Sequence, residues 1–431
     1  MDKRLFSHNL AVHLSLCPWS LDQISACLRR NLPKGAHKYT TEIANELHIG
    51  LPTIFTPSVS AIEIVLRRAI RLESTYQFCR KQGKWPALNL SSPTMCPTPA
   101  FEGLDIPQLP TTASVADWLS ISERRLDYLA DEQNRHEEHG EASINHYHYI
   151  FKNKNGGGIR VIEAPKENLK SIQRAILKNI IGIVPPHDAA FGFVKGRNCL
   201  KAANRHVGEK VVLCFDLKNF FPSIGAGRVF GLFRCLGYPD AVARVLTSLC
   251  TSLTPRRILE RFPLEERSIY NKRHLPQGAP TSPALANQIC FGLDKRLNAL
   301  AKCLGAQYSR YADDLTFSGD KHIARPLQYF LPVIAQDEGF SLNRAKTRVM
   351  PRASRQTVTG VLVNEHLNID RRSFDKLKAI IHACGKPGDR RLLDPSFRKS
   401  LMGKIDWVES VNPHRGQRLR QLLSKAVENH I

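Results

Sequence analysis

Apolar and polar residues alternate along two neighbouring segments, 307–311 and 315–318, and this alternation predicts a β-hairpin. The junction between the segments carries two adjacent acids, Asp313 and Asp314, at the expected tip of the hairpin. Crowded carboxylates repel one another unless a cation neutralises them, and a hard divalent ion such as Mg²⁺ prefers oxygen ligands. A tight turn also accepts Asp for purely structural reasons, so a metal site and an ordinary turn remain alternatives for this hairpin alone.

An unbroken apolar run at 211–215 predicts a buried strand that ends at Asp216. If Asp216 lies beside the hairpin tip, three carboxylates could hold two metal ions roughly 4 Å apart, as two-metal nucleotidyl transfer requires. The alternative for Asp216 is an N-cap of a helix that follows the strand. We therefore expect Asp216, Asp313 and Asp314 to form one catalytic, metal-binding site.

The N-terminal fifth of the chain has a different pattern, because its apolar residues recur at helical spacing. Residues 1–85 are predicted to be mainly helical, with a single helix over 61–79. Six prolines at 86–110 disfavour both helix and sheet, which predicts an extended linker or a strap across the surface. The helical pattern returns over 113–142.

Other helices can be assigned from capping residues and amphipathic spacing. Ser120 and Ser122 are candidate caps, and a helix is expected over 284–300. A helix over 370–383 is expected to pack on the protein with its apolar face and to present its basic face outward. Trp407, further along, is expected in the core rather than at the surface as a platform for a nucleic-acid base.

The charge of the chain changes this picture from a generic α+β protein to one that binds nucleic acid. Lys and Arg number 62 against 39 Asp and Glu, which gives a formal net charge of +23 and a pI near 9.7. Such a surface binds phosphate backbones with a steep dependence on salt. Eleven scattered cysteines without a Cys-x-x-Cys pair, and no apolar run of membrane-spanning length, predict reduced thiols, no membrane contact and a cytoplasmic location.

Several blocks in this order make the chain resemble reverse transcriptases over roughly residues 113–425. In addition to the three acids, the blocks are GIRVIEAPKENLKSIQRAIL (158–177), GFVKGR (192–197), LPQGAPTSPALAN (275–287) and GFSLNRAKTRV (339–349). The triplet Val358-Thr359-Gly360 resembles the VTG motif of bacterial retron enzymes. The stretch DWLSISERRLDYLAD (117–131), followed by HYHYIF (146–151), resembles the longer retron forms with an N-terminal extension. Ala203 and His206 match the retron Asn-Ala-x-x-His motif, whereas its leading Asn is replaced by Ala202.

The resemblance implies a right-hand polymerase of class α+β, with a palm of ferredoxin-like connectivity and a helical N-terminal extension. The implied domains are an extension at 1–85, a linker at 86–112, fingers and palm at 113–350, and a basic, RNA-binding thumb at 351–431.

The resemblance also implies roles for individual residues. Lys346 becomes the candidate general acid beside the three acids, and two Mg²⁺ ions are the implied cofactors. The implied nucleotide-binding residues are Arg160, Phe221, Gln277 and Gly278, and the implied RNA-binding residues are Lys195, Arg197, His206, Val358, Thr359 and Gly360. The alternatives are that Lys346 is an ordinary surface charge, that Arg160 is a solvated charge of the hairpin, and that Phe221 is a core aromatic. For the neighbouring Phe220, a position in the core is expected.

The implied function is reverse transcription of a structured noncoding RNA that serves as template and primer, with dNTPs as substrates. Priming from a 2′-hydroxyl would give a branched RNA–DNA hybrid, msDNA, used in antiphage defence. Residues 1–85 are the candidate contact for an effector protein, a second copy of the chain or the RNA. A defence-associated reverse transcriptase with another priming mode and a catalytically dispensable RNA-binding scaffold are the alternatives.

Overall fold

The structure is a computed structural model of the 431-residue chain. It describes residues 1–52, 56–86, 93–132, 134, 145–153 and 159–428. The chain divides into two compact units. The first comprises Met1–Pro185 and Ile224–Ile289, and the second comprises Pro186–Ser223 and Cys290–Ile431.

The N-terminal part of the first unit is helical, as predicted, and has its own apolar core. Its helices are α1 (Lys3–Leu14), α2 (Leu21–Asn31), α3 (Thr40–Gly50), α4 (Val59–Arg68) and α5 (Leu72–Gln82). The single helix predicted over 61–79 is wrong, since the chain leaves the helical conformation at Ala69 and begins a new helix at Leu72. Buried Leu66, Ala69 and Leu72 keep the three-residue spacing across the break, so the apolar pattern does not reveal the change of direction.

The proline-rich segment follows this helical core as a strap, insofar as it is described. Residues 93–110 contain a single short 3-10 turn, Pro99–Phe101. The backbone N–H of Cys96 donates to the carbonyl oxygen of Gly237 at 3.0 Å, and that of Thr98 donates to Cys235 at 2.9 Å. Residues 87–92 lie outside the described part of the chain.

Two short helices, α6 (Thr112–Trp118) and α7 (Glu123–Ala130), confirm part of the helix predicted over 113–142. Ser122 caps α7 through its hydroxyl, which accepts from the N–H of Arg125. Ser120 has a φ of 55° and lies in the turn between the helices instead. Most of 133–144 lies outside the described residues.

The remainder of the first unit consists of a hairpin and helices. Strands β1 (Tyr147–Asn153) and β2 (Ile159–Pro165) pair antiparallel, and residues 154–158 between them lie outside the described part of the chain. The helices are α8 (Glu167–Asn179), α11 (Ala226–Cys235), α12 (Asp240–Cys250), α13 (Arg256–Leu259), α14 (Leu264–Tyr270) and α15 (Ser282–Ile289). Two helices that come between α8 and α11 in sequence, α9 (Cys199–Asn204) and α10 (Phe220–Ser223), belong to the second unit. The helix expected over 284–300 is interrupted at Cys290, which follows the end of α15 and caps the next helix.

The second unit is built on an antiparallel sheet of β3 (Val211–Asp216), β4 (Gln307–Tyr311), β5 (Asp314–Gly319) and β6 (Arg348–Pro351). The strand order is β4-β5-β3-β6. Helices lie between β3 and β4 and between β5 and β6 in sequence, so this order is that of a ferredoxin-like βαββαβ sheet, as predicted. Its helices are α9 (Cys199–Asn204), α10 (Phe220–Ser223), α16 (Phe291–Cys303) and α17 (Ala324–Asp337).

The C-terminal residues of this unit form a small hairpin and three helices. These elements are β7 (Thr357–Val358), β8 (Val361–Leu362), α18 (Arg371–Cys384), α19 (Pro395–Val411) and α20 (Pro413–Glu428). The predicted amphipathic helix is confirmed, with Asp370 as its N-cap and Phe374 and Ile381 in the core. The core position expected for Trp407 is wrong, because 43% of this residue is exposed.

Two further observations concern the whole described chain. All eleven cysteines are free thiols, as predicted, and most are buried. Within the described segments, the helices are too short or too polar to cross a membrane.

Candidate active site

The three acids singled out by the sequence lie together at one edge of the four-stranded sheet. Asp216 at the end of β3 pairs with Asp314 at the start of β5 in the strand register. Asp313 occupies the loop before β5, and its carbonyl oxygen accepts a hydrogen bond of 3.0 Å from the N–H of Leu217. The predicted hairpin and buried strand are therefore confirmed, and their ends bring the acids into one cluster.

The hairpin tip is tightly constrained by its neighbours. Ala312 has a φ of 58°, which L-residues rarely adopt, and it turns the chain between β4 and β5. A Cβ atom on Gly192 would lie 2.6 Å from the backbone nitrogen of Ala312. Glycine is required at position 192 because the hairpin backbone passes directly against it.

A buried ion pair supports the same turn from inside the unit. The guanidinium of Arg310 donates to both carboxylate oxygens of Asp294, at 2.8 and 2.7 Å, and neither side chain is exposed. A further N–H of Arg310 donates to the carbonyl oxygen of Ala312 at 3.2 Å. Sequence reasoning missed this pair, because the two residues lie on different elements and their contact depends on the tertiary fold.

His206 is also part of this support, which corrects its predicted role in RNA binding. The residue is fully buried, and its ring nitrogens lie 2.7 Å from the hydroxyls of Ser309 on β4 and Ser318 on β5. Burial, and to a lesser degree the charge of Arg205, lower the pKa of His206 to about 3, so the ring is neutral. The imidazole bridges the two strands of the hairpin and offers no surface to RNA.

The acids carry an unfavourable concentration of negative charge. Burial is the largest cause that raises the pKa of Asp314, and together with the neighbouring charges of Asp313 and Asp216 it brings this pKa to about 6. Asp314 nevertheless keeps contact with solvent. Lys346 lies in the same cluster, and its ammonium donates to Asp216 at 2.8 Å while 56% of its side chain is exposed.

The carboxylate oxygens of the cluster suit Mg²⁺, although the protein alone does not complete the coordination sphere of the ion. Carboxylate oxygens are the ligands that Mg²⁺ prefers, and this ion commonly uses one or two carboxylates together with water and substrate phosphates. Among the described residues, no three His, Cys, Asp or Glu side chains already converge as ligands of one ion. The carboxylate of Asp216 is paired with the ammonium of Lys346, and it would exchange this ammonium for a bound metal ion.

Aromatic rings line the surface beside the acids. Phe221, predicted to contact the incoming sugar, is partly exposed, and its ring centroid lies 6.3 Å from that of Phe193. Phe193 also lies 6.5 Å from Tyr311 of the hairpin. Phe220 is buried against Phe340, as expected for a core residue. Sequence reasoning identified Phe221 but missed Phe193, whose importance follows from its exposure and its backbone conformation.

The remaining nucleotide-binding candidates lie in the first unit. Arg160 is exposed on β2, and the backbone N–H of Glu163 on the same strand donates to the carbonyl oxygen of Gln277 at 2.8 Å. Gly278 has a φ of 131°, and a Cβ there would lie 3.0 Å from the side chain of Ile162. The loop that carries Gln277 and Gly278 is thus held against the strand that carries Arg160.

A buried charged pair, also missed from the sequence, fixes this arrangement. The carboxylate of Glu163 accepts from Thr254 at 2.9 Å and lies 2.9 Å from Nε2 of His274. The other ring nitrogen of His274 lies 2.7 Å from the carbonyl oxygen of Lys272, so both nitrogens donate when the ring is protonated. Burial alone would lower the pKa of His274, but the opposing effects of Glu163 and the Lys272 carbonyl are larger together. The pKa of His274 is therefore raised above its ordinary value.

The predicted RNA-binding residues fall into two classes. Lys195 is exposed, whereas Arg197 donates to the carbonyl oxygens of His187 and Ala190 and holds the loop between them. Val358 is fully buried, so its side chain cannot contact RNA.

The other two residues of the triplet form the turn between β7 and β8. Thr359 and Gly360 have φ values of 48° and 83°, and Gly360 is exposed. Positive φ at both positions is typical of a tight hairpin turn, but a β-branched residue is unfavourable there. The hydroxyl of Thr359 donates to the carbonyl oxygen of Cys199 at 3.1 Å.

Comparison with known proteins agrees with this site. The family model described as reverse transcriptase (RNA-dependent DNA polymerase) matches residues 152–363. The retron Mx65 reverse transcriptase of Myxococcus xanthus is 41% identical over 64% of this chain and 64% of its own length. The retron Mx162 enzyme of the same organism is 36% identical over 72% of this chain and 66% of its own length.

A third relative is matched over a larger share of its length. The retron Ec86 reverse transcriptase of Escherichia coli is 33% identical over 62% of this chain and 76% of its own length. The chain spans slightly less than two thirds of the two Myxococcus enzymes. These matches show that the chain belongs to the retron reverse transcriptases, and the acid cluster and the ferredoxin-like sheet agree with this family.

Proposed function

We propose that this protein is an RNA-directed DNA polymerase that copies part of a structured noncoding RNA into DNA. The observation that carries the proposal is the cluster of Asp216, Asp313 and Asp314, with Lys346 beside it, at the edge of the sheet. Membership of the retron reverse transcriptases supports RNA as the template.

The acids and Lys346 have separate roles in nucleotidyl transfer. Asp216, Asp313 and Asp314 would hold two Mg²⁺ ions, which would supply the positive charge that lowers the pKa of the attacking hydroxyl and stabilises the departing pyrophosphate. Lys346 acts as the general acid that protonates the pyrophosphate. Its ammonium already lies at the acids, and its exposed side chain leaves it free to turn towards a bound triphosphate.

Four residues have proposed roles in nucleotide binding and selection. Arg160 binds the triphosphate, because a guanidinium can make paired charge-assisted hydrogen bonds to phosphate oxygens. Phe221 packs against the sugar and excludes a 2′-hydroxyl. Gln277 and Gly278 contact the nascent base pair, and the positive φ of Gly278 supports close approach of the backbone there.

RNA binds the basic surface of the C-terminal region. Residues 344–431 contain 19 Lys and Arg against 8 Asp and Glu, a net charge of +11. Lys195 and Arg197 contact phosphate, and the Thr359-Gly360 turn contributes to selection of the cognate RNA. The unfavourable conformation of Thr359 supports a functional role for this turn, since Gly or Asn would form it more readily.

The retron relatives suggest the biological setting. A 2′-hydroxyl of the RNA primes synthesis, and the product is a branched RNA–DNA hybrid that takes part in antiphage defence in the cytoplasm. Residues 1–85 contact an effector protein or a second copy of the chain, which their separate apolar core supports. Deletion of these residues should change the size of the assembly or abolish protection against phage, and no effect on either would contradict this role.

The decisive experiment is sequencing of the nucleic acid that copurifies with the protein, before and after RNase and debranching enzyme. We expect short DNA of uniform sequence joined to one RNA by a 2′–5′ bond. DNA attached to protein, or untemplated DNA, would contradict the priming mode. The double variant Asp313→Asn/Asp314→Asn is the control, because it should copurify with RNA but without DNA. Full phage protection by this variant would favour a catalytically dispensable scaffold.

A further inference from the structure

Phe193 combines two features that a purely structural residue rarely has. It is 54% exposed, and its φ of 63° lies in the left-handed region that bulky residues avoid. Among the described non-glycine residues with positive φ, it is the one that carries an aromatic ring. Glycine or asparagine would form the same turn with less strain, so folding alone does not explain a phenylalanine at this position.

The strained turn places the ring beside Tyr311, which pairs with Asp314 in the hairpin register. Gly192, the preceding residue, packs directly against the backbone of Ala312 at the hairpin tip. The ring of Phe193 lies 6.3 Å from Phe221 at an interplanar angle of 51°, and 6.5 Å from Tyr311 at 36°. The three rings together form a nonpolar surface next to Asp313 and Asp314, and Phe193 is its most exposed member.

We propose that Phe193 packs against the nucleoside part of the incoming deoxynucleotide and contributes directly to nucleotide binding. This inference rests on the proposed polymerase function. A polymerase must accept all four bases, and an aromatic ring suits this need because every base has a π-face to stack on. The exposed ring would be covered only when a nucleotide is bound, which explains why it remains in water in the free protein.

The test uses the full-length protein in steady-state incorporation of dTTP on a poly(rA)–oligo(dT) template with Mg²⁺. The variants Phe193→Gly and Phe193→Asn remove the ring and relieve the backbone strain. Since a base–aromatic contact changes binding by roughly five- to 150-fold, we expect the KM for dTTP to rise about tenfold. The value of kcat and the dissociation constant of the template–primer should remain within about threefold, and Phe193→Tyr should restore the wild-type KM.

Stability distinguishes this role from a structural one. Because the variants relieve strain, their unfolding temperature should equal or exceed that of the wild type. Tyr329→Ala is the matched control, since it removes another exposed ring of the same unit, 70% exposed, and should leave the KM unchanged.

The possible results separate this inference from the proposed function. If the wild type incorporates dTTP but Phe193→Gly and Phe193→Asn keep its KM, the inference is overturned and the polymerase function stands. A rise in KM that accompanies a loss of stability, or a change confined to template–primer binding, would also overturn it. Failure of the wild type to incorporate any nucleotide would instead refute the proposed function.

Discussion

Replacement of His206 by glutamine should make the stability of the protein less sensitive to acid. The imidazole bridges Ser309 and Ser318, and the side-chain amide of the variant can still hydrogen-bond to a hydroxyl but does not titrate. At neutral pH the variant should be less stable by about 1–3 kcal/mol, because at least one buried hydroxyl loses its partner.

The pH dependence follows from the neutral state of the buried ring. The pKa of His206 is about 3 in the folded protein, whereas an unfolded chain has a histidine pKa of about 6.5. As pH falls below about 6.5, the unfolded state binds a proton that the folded state does not, so unfolding becomes progressively more favourable until pH about 3. At about pH 5 the loss is about 2 kcal/mol, given about 1.4 kcal/mol per pH unit.

The assay is urea unfolding of wild type and His206→Gln at about pH 7.5 and about pH 5, followed by far-UV circular dichroism. Other titrating groups affect both proteins equally, so the difference between them isolates His206. We expect the stability advantage of the wild type to shrink by about 2 kcal/mol at the lower pH. An advantage of equal size at both pH values would refute the reasoning. His366→Gln, at an exposed position, should show no such change.

Three other substitutions test separate parts of the site. Lys346→Ala should lower kcat by about 10²- to 10⁴-fold with little change in the KM for dNTP, and an unchanged kcat would exclude Lys346 as general acid. Arg310→Met should destabilise the protein by about 3–5 kcal/mol in urea unfolding, because Asp294 stays buried without its cation. Adding Asp294→Leu should recover part of that loss, and an equal or larger loss would contradict this explanation. Gly192→Ala should lower the unfolding temperature and kcat, since its Cβ would overlap the hairpin backbone. Gly403→Ala, on a helix surface with open space, should stabilise slightly in the same assays.

The cluster of three acids could be predicted from the sequence because its elements have short-range signatures. Alternation identified the hairpin that carries Asp313 and Asp314, and the unbroken apolar run identified the buried strand that ends at Asp216. Each signature fixes both an element and the end at which its acid lies. The amphipathic helix after Asp370 was predicted for the same reason.

The sequence could not predict features that depend on contacts between distant residues. His206 carries a motif that suggested RNA binding, but its hydroxyl partners lie 103 and 112 residues away and bury it completely. The partners Glu163 and His274 are separated by 111 residues. The break at Ala69 could not be predicted, because apolar spacing shows which face of a segment is buried but not whether the helix continues in the same direction.

Trp407 shows a further limit of pattern-based prediction. A large apolar residue is usually buried, yet α19 directs Leu401, Ile405 and Val408 to the core and leaves the indole at the surface. The burial of such a residue depends on the direction in which its helix presents it.

The most direct test of the central claim is primer extension on an RNA template by the purified protein, compared with Asp313→Asn/Asp314→Asn. The account predicts that the wild type, with Mg²⁺, extends a DNA primer with dNTPs. It also predicts that the double variant folds normally, binds the same template and incorporates no nucleotide. Equal extension by both proteins would contradict the assignment of catalysis to this acid cluster, and absence of extension by the wild type would contradict polymerase function itself.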